Sequence, residues 1–480
     1  GTFVNGVITD SMASGDVFGG DYTGGLAGYY YGPSVLSNVS ATGDVSGAQF
    51  VGGLVGYLSY SGIANGFASG DVVSRGGTYA GGLVGYTFAY TTSSANATIL
   101  DSRATGNVSG ATIGGGLVGT WEDYFWSTAA SGITLSSASG NVSAATTAGG
   151  LVGNFSGSSS STSSSGITSS RASGHVTASS NVGGLVGQFT SYAGLQDSHA
   201  TGNVVGTGTT GTQSLGGLVG VYRNYSSTAG TGQLLRSYAS GNVTLADTAT
   251  LGSFSDVYAG GLVGNLDGPS AAFVTLADSY ATGAVTVINA SGRLRAGGLV
   301  GFTDTSIERS YATGAVAATL TSSSSRAGGL VAQRSATTVT ANNSHWATDT
   351  SGQSTSIIGT ASTLAEMQNA ATFSGWDLAT TGGTSQVWRI YEGQTTPLLR
   401  GLLTPLTLTL ADINKTYDGT TSLGDAAISV GGVAVANPER IFVSGVSANA
   451  GSHTLTASNL YSVQNGYDLS LTGSATLTIG

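Results

Sequence analysis

One pair of phrases returns ten times along this chain. Ala-[Ser/Thr]-Gly-x-Val is followed, after a polar gap, by Gly-Gly-Leu-Val-Gly or a one-letter variant. The second phrase opens at Gly24, Gly52, Gly81, Gly115, Gly149, Gly183, Gly216, Gly260, Gly297 and Gly328, at intervals of 28 to 44 residues. A unit this short cannot bury an apolar face alone, whereas stacked copies can, so the expected architecture is a solenoid. Gly, Ser and Thr all oppose helix. The fold class expected is therefore all-β: a parallel, right-handed β-helix of about ten coils, one per repeat. At ~4.8 Å between strands, ten coils span roughly 50 Å.

Aligning the repeats on the Ala of the first phrase, from Ala13 to Ala312, shows what each position is for. Five residues earlier stands Ile or Leu in every copy, and four residues later stands Val, from Val17 to Val316. Period-2 geometry then predicts Ala, Gly and Val on one inward face of a single strand, with the Gly in a slot too narrow for a side chain. Asp or Asn three residues before the Ala (Asp10, Asn38, Asn65, Asp101, Asp197, Asp278) suits a corner. The Gly-Gly-Leu-Val-Gly phrase predicts a second strand with Leu as its inward anchor. The variable stretch after it, which holds Trp121, Tyr124-Phe125-Trp126 and Tyr222, predicts loops or an irregular side.

Two outward columns are candidate sites. The position three after the Ala reads Asp16, Asp44, Asp71, then Asn107, Asn141, His175, Asn203 and Asn242. Stacked carboxylates suggest a cation site such as Ca2+, or a polysaccharide-cleaving pair; the recurrence of Asp/Asn in the repeat favours an architectural ladder over both. The position just before the Ala reads Tyr238, Tyr280 and Tyr311, and the same register extends to Trp346. Such a strip suits stacking of a glycan or partner, or plain stacking of ring on ring. No catalytic residue and no resident cofactor is expected. His175, His199, His345 and His453 lack ligand spacing. The sequons at Asn107, Asn141 and Asn242 fall out of the repeat pattern.

Charge narrows the partners. The net charge is −10 with one Lys, thirteen Arg and no basic run, which argues against nucleic acid. No stretch of about 18 apolar residues predicts membrane insertion. Cys is absent, which fits a bacterial protein exported unfolded better than a disulfide-stapled module. The opening at Gly1 is read as the start of an excised segment of something larger.

The phrases carry a resemblance. SYATGAVTV…AGGLVG and SRATGNVSG…GGGLVG resemble the GLUG motif of large bacterial surface proteins. Residues 344–400, from SHWATDTSGQ to TTPLLR, resemble the tail that closes such arrays. DINKTYDGTTSL at 412–423, with ANAGSHTLTASNL and NGYDLS, resembles the YDG repeat of filamentous-haemagglutinin-like adhesins. The resemblance implies an adhesin exported by two-partner secretion, lying outside a Gram-negative cell. Its implied partners are an outer-membrane secretion protein, and exopolysaccharide, a host or cell-surface glycan, or a second copy. A β-helix carbohydrate-active enzyme and an ice-binding solenoid are the alternatives. The domains expected are a solenoid over 1–345, its cap over 346–400, and a small β module over 401–480. In the cap, Trp376 and Trp388 are read as plugs and 365–369 as a helical turn capped by Thr363.

Overall fold

A computed structural model describes the chain except residues 90–97, 124–130, 158–165, 210, 227, 229–230, 246–255, 271–272, 289–291, 320–321, 410–411, 420–428, 431–432, 435–436 and 473–474. The repeats form a parallel β-helix. Each strand pairs with its copies in the coils before and after, in register, so Val72, Val108, Val142 and Val176 fall in one column. Among the described residues one sheet holds eleven parallel strands and two others hold ten. The run Tyr124-Phe125-Trp126 lies outside the described residues.

Within a coil the strands divide differently from the expected pattern. In one coil they are Thr98–Leu100, Arg103–Ala104, Val108–Ser109, Ile113–Gly115 and Val118–Asp123. Ala104 thus closes one strand and Val108 opens the next, with a bend at Gly106 between them. The Gly-Gly-Leu-Val-Gly phrase is likewise a corner: Gly115 ends one strand, Leu117 sits at the bend fully buried, and Val118 starts the longest strand. Alternation along one strand does not hold across a bend, so the Ala and the Val of the first phrase enter two separate cores, while the Leu and the Val of the second phrase share one.

The aliphatic residues, the alanines and the Leu-Val pairs form the larger core. The ten-membered Val column packs in a second core, against residues just before the double glycine such as Val51, Ala80 and Val182. Between them the coil is pinched. A Cβ on Gly82 would stand 2.9 Å from the Ala104 Cβ of the next coil, and one on Gly184 would stand 2.9 Å from that of Ala200. The two phrases therefore explain each other, since a small residue in one faces the glycine of the other. Those Cβ atoms would also overlap a carbonyl of the next coil, Gly116 O for Gly82 and Gly217 O for Gly184, and the bend glycines share that second cause. A Cβ on Gly140 would overlap the carbonyl of Gly106 in the preceding coil, so the obstacle is backbone along the stacking axis rather than a tight inward slot.

Trp121 and Tyr222, read as loop residues, belong to the larger core. With Phe155 and Phe189 they make a buried stack with centroids 5.8, 5.0 and 4.8 Å apart.

The chain divides into two compact units, Gly1–Ala361 and Ser362–Gly480. Residues 346–361 complete the solenoid: Gly329 N–H donates to Thr355 O at 3.0 Å, and Thr360 N–H to Ser344 O at 2.8 Å. Trp346 fills the alanine slot, paired with Ala312, and lies against Gly329 in the core. Residues 362–400 instead belong with the small β module. Tyr391 and Leu398 pack with Leu403, Leu408, Tyr467 and Leu469 in one core. Trp376 and Trp388 are in this second unit, 4.7 Å apart, with Phe373 beside Trp376. Thr363 and Glu366 exchange hydrogen bonds at the entry to a single 3-10 turn, Glu366–Gln368. The alternating run at 404–409 pairs with Tyr467–Thr472, and Ala475–Ile479 pairs with Gly451–Leu455 and Ile413–Lys415. Ser429–Val430 pairs antiparallel with Val433–Ala434.

Gly140→Val is expected to lower stability by at least the ~1–3 kcal/mol of ordinary overpacking, because backbone must move. Ser139→Ala, one residue away and exposed, should change it by less than about 0.5 kcal/mol. Urea unfolding of the two variants checks this; equal midpoints would contradict the stacking described.

Candidate functional site

The acidic column is a hydrogen-bond ladder. Asp16 Oδ1 accepts the Asp44 N–H at 2.9 Å, Asp44 Oδ1 that of Asp71 at 2.8 Å, and Asp71 Oδ1 that of Asn107 at 2.7 Å. Asn107, Asn141, Asn203 and Asn242 continue it, each taking an N–H from the next coil. His175 joins through Nδ1, which accepts the Asn203 N–H at 3.1 Å. Each side chain satisfies a backbone donor left over at the bend, and either Asp or Asn supplies the oxygen. Among the described residues no group of three or more His, Asp or Glu side chains is placed to hold a metal ion.

A second ladder escaped the sequence reading. Two residues before the alanine slot stand Ser102, Ser136, Ser170, Ser198, Ser237, Ser279, Ser310 and Ser344, all buried. The Ser136 N–H donates to Ser170 Oγ at 3.2 Å, and the Ser170 N–H to Ser198 Oγ at 3.0 Å. Ser170 Oγ then donates to the carbonyl of Thr168 at 2.9 Å, across the corner. The corner residue in between adopts positive φ, from Asp10 at 48° to Arg309 at 41°, as the recurring Asp or Asn there predicts. That conformation is also forced on Leu135, Ser169, Arg236 and Arg309. The two arginines are held by paired bonds of 2.7–2.8 Å to Asp197 and Asp278 in the preceding coils.

The tyrosine strip is present but is not an open surface. Tyr238, Tyr280 and Tyr311 stack face to face at 5.0 and 4.8 Å, within 6° of parallel. They are 2, 3 and 0 % exposed. Burial, then the neighbouring phenols, raise the pKa of Tyr280 well above its usual value. His199 caps one end at 4.8 Å from Tyr238. At the other end Tyr311 pairs with His345, so Trp346 stands one place away from the strip, in the core.

The exposed aromatics lie elsewhere. Where the strands flanking the double-glycine corner meet on the outside, two columns face each other. Tyr22, Phe50 and Tyr79 stack at 5.1 and 5.5 Å, and Tyr29, Tyr57 and Tyr86 at 5.1 Å each. Rings touch edge to face across the corner, as Phe50 and Tyr57 do at 5.3 Å. Tyr22 is half exposed, and Tyr29, Phe50, Tyr57 and Tyr79 are partly so. The Tyr86 hydroxyl donates to Glu122. Burial, then the Tyr29 and Tyr22 phenols, push Tyr57 up to about 12.

Residues 19–46 match the family model of the GLUG motif. That stretch runs from the double-glycine corner through the next aliphatic strand to Val45, so it takes in both phrases and the Asp44 rung of the ladder. No curated protein matches the chain, and no solved structure does. No described helix is long and apolar enough to cross a membrane.

Asp44→Asn is expected to leave stability within about 0.5 kcal/mol, since the oxygen acceptor remains, whereas Asp44→Ala should cost about 1 kcal/mol. Calcium should shift the melting temperature of neither wild type nor Asp44→Asn. A calcium shift that Asp44→Asn abolishes would make the column a cation site.

Burial, then the Arg171 charge one coil before, lower His199 from 6.5 to about 4. Between those values the unfolded chain binds a proton that the folded chain does not, so stability should fall as pH drops through that window, by up to about 1.4 kcal/mol per pH unit. Urea titrations at pH 7.5 and 4.5 should show the loss, and His199→Phe should reduce it.

Proposed function

We propose that this chain is a structural and interaction segment of a large secreted or surface-bound bacterial adhesin. The solenoid supplies reach and stiffness, and the chain serves adhesion or matrix cohesion without catalysis. The observation that supports this most is the use made of the repeat-defining polar residues: Asp, Asn and Ser rungs are engaged coil to coil. What recurs in the sequence therefore builds length. The GLUG match at 19–46 and the YDG-like pattern at 412–423 fit export from a Gram-negative cell by two-partner secretion.

The double aromatic column at Tyr22, Tyr29, Phe50, Tyr57 and Tyr79 is the surface that suits a neutral polysaccharide. It offers phenol hydroxyls and apolar ring edges at one set per coil, near the advance of an extended sugar chain per residue (~4.8 Å between strands). Aromatic side chains bury large area at low entropy cost. The double variant Phe50→Ser/Tyr57→Ser is expected to weaken retention on immobilised neutral polysaccharide about tenfold, at roughly 0.5–1.5 kcal/mol per ring. Circular dichroism checks that the variant remains folded. Unchanged retention in a folded variant would remove these columns from the interaction. Release of reducing ends from the polysaccharide by wild type would replace the adhesin reading with that of a β-helix enzyme.

A further inference from the structure

The second unit holds a cavity of about 340 Å³, within the size range of small-molecule sites. Its wall combines Arg389, Tyr391 and Tyr461 with the polar side chains of Thr381, Gln394 and Ser470. Arg389 is 5 % exposed, and its guanidinium lies 3.9 Å from the Tyr391 ring centroid. The Tyr391 hydroxyl donates to Tyr467 O at 2.7 Å and accepts the Leu469 N–H at 3.0 Å, which fixes that wall.

Charge in this place is out of balance. Asp468, 3 % exposed, is shared by two guanidiniums: Arg389 Nε stands 3.4 Å from Oδ1 and Arg400 Nη1 stands 3.7 Å from Oδ2. Oδ2 also accepts the Gly383 N–H at 3.0 Å. Arg389 Nη1 donates to the Ile390 carbonyl, but Arg389 Nε and all three Arg400 nitrogens have no hydrogen-bond partner. Two cations thus face one buried anion, and a buried charge without compensation is strongly disfavoured. Glu392, at the cavity edge, is exposed and takes the Ala370 N–H.

We propose that this cavity binds a sugar acid, the carboxylate of a hexuronate residue pairing with the Arg389 guanidinium. A guanidinium suits a carboxylate through paired N–H donors. The hydroxyls of Thr381 and Ser470 and the amide of Gln394 match a polyhydroxylated ring, and the tyrosines match its apolar face. The site stands apart from the repeats, so its failure would leave the reading of the solenoid as it is, and the neutral-polysaccharide test above does not probe it.

Isothermal titration of the full chain with sodium glucuronate, glucose, sodium acetate and sodium sulfate at matched ionic strength tests this. Glucuronate is expected to bind, with the other three at least about tenfold weaker, and Arg389→Gln is expected to weaken glucuronate by about tenfold or more. Because that variant removes a buried charge, Gln394→Trp, which fills the cavity and leaves the arginines in place, is run beside it and should also abolish binding. Equal binding of acetate or sulfate would reduce the cavity to a bare anion site and overturn the proposal. So would glucuronate no stronger than glucose, or undiminished binding in a folded Gln394→Trp.

Discussion

The close approach of the second glycine of each Gly-Gly-Leu-Val-Gly to the alanine of the next coil governs the rest of the solenoid. It draws opposite walls of the coil together until only a hydrogen and a methyl fit between them. Two cores result, one wide enough for the Trp121–Tyr222 aromatic stack and one filled by valines. Neither could sit where it does without the pinch. The bends then leave backbone N–H groups that strand pairing does not reach, and buried donors of that kind must find acceptors. The serine column and the Asp/Asn column supply them, one at each side of the alanine strand.

Much of this was legible in the sequence, for a physical reason. Ten valines at one offset mean a column in any stacked fold, and the column is there. Small residues at the alanine and at the double glycine meant close backbones, and they are close. The bend between Ala104 and Val108 was not legible, because alternate positions on a straight strand and two positions flanking a bend give the same pattern of letters. The serine column left a signal, eight successive copies from Ser102 to Ser344, but in a chain crowded with serine the positional regularity was masked by abundance.

Trp346 shows a different limit. Its flanking Ala347-Thr348 imitates Tyr-Ala-Thr, which shifts the alignment by one. Asn343 at the corner and Ser344, aligned with Ser310, mark the true register. Tyr238, Tyr280 and Tyr311 do share one column, yet the column is closed, since exposure depends on packing that no local pattern records. The aromatic columns from Tyr22 to Tyr86 were not legible because their members occupy two different offsets, and only the corner brings them face to face. In the second unit, Arg389, Arg400 and Asp468 are scattered along the chain and carry no motif at all.

The serine and Asp/Asn ladders also make the coils interchangeable. In the coils from Ser102 to Asn242, where both ladders run, each coil offers its neighbour equivalent acceptors and receives equivalent donors in return. Copying or losing one whole coil in the gene would therefore join surfaces that already match, while losing a single residue between the rungs of one coil would put that coil alone out of step. Trp346, filling a slot that alanine holds in every earlier coil, stands outside that exchange. The array can vary in number behind a fixed terminus, as a chain lengthens link by link behind the same clasp.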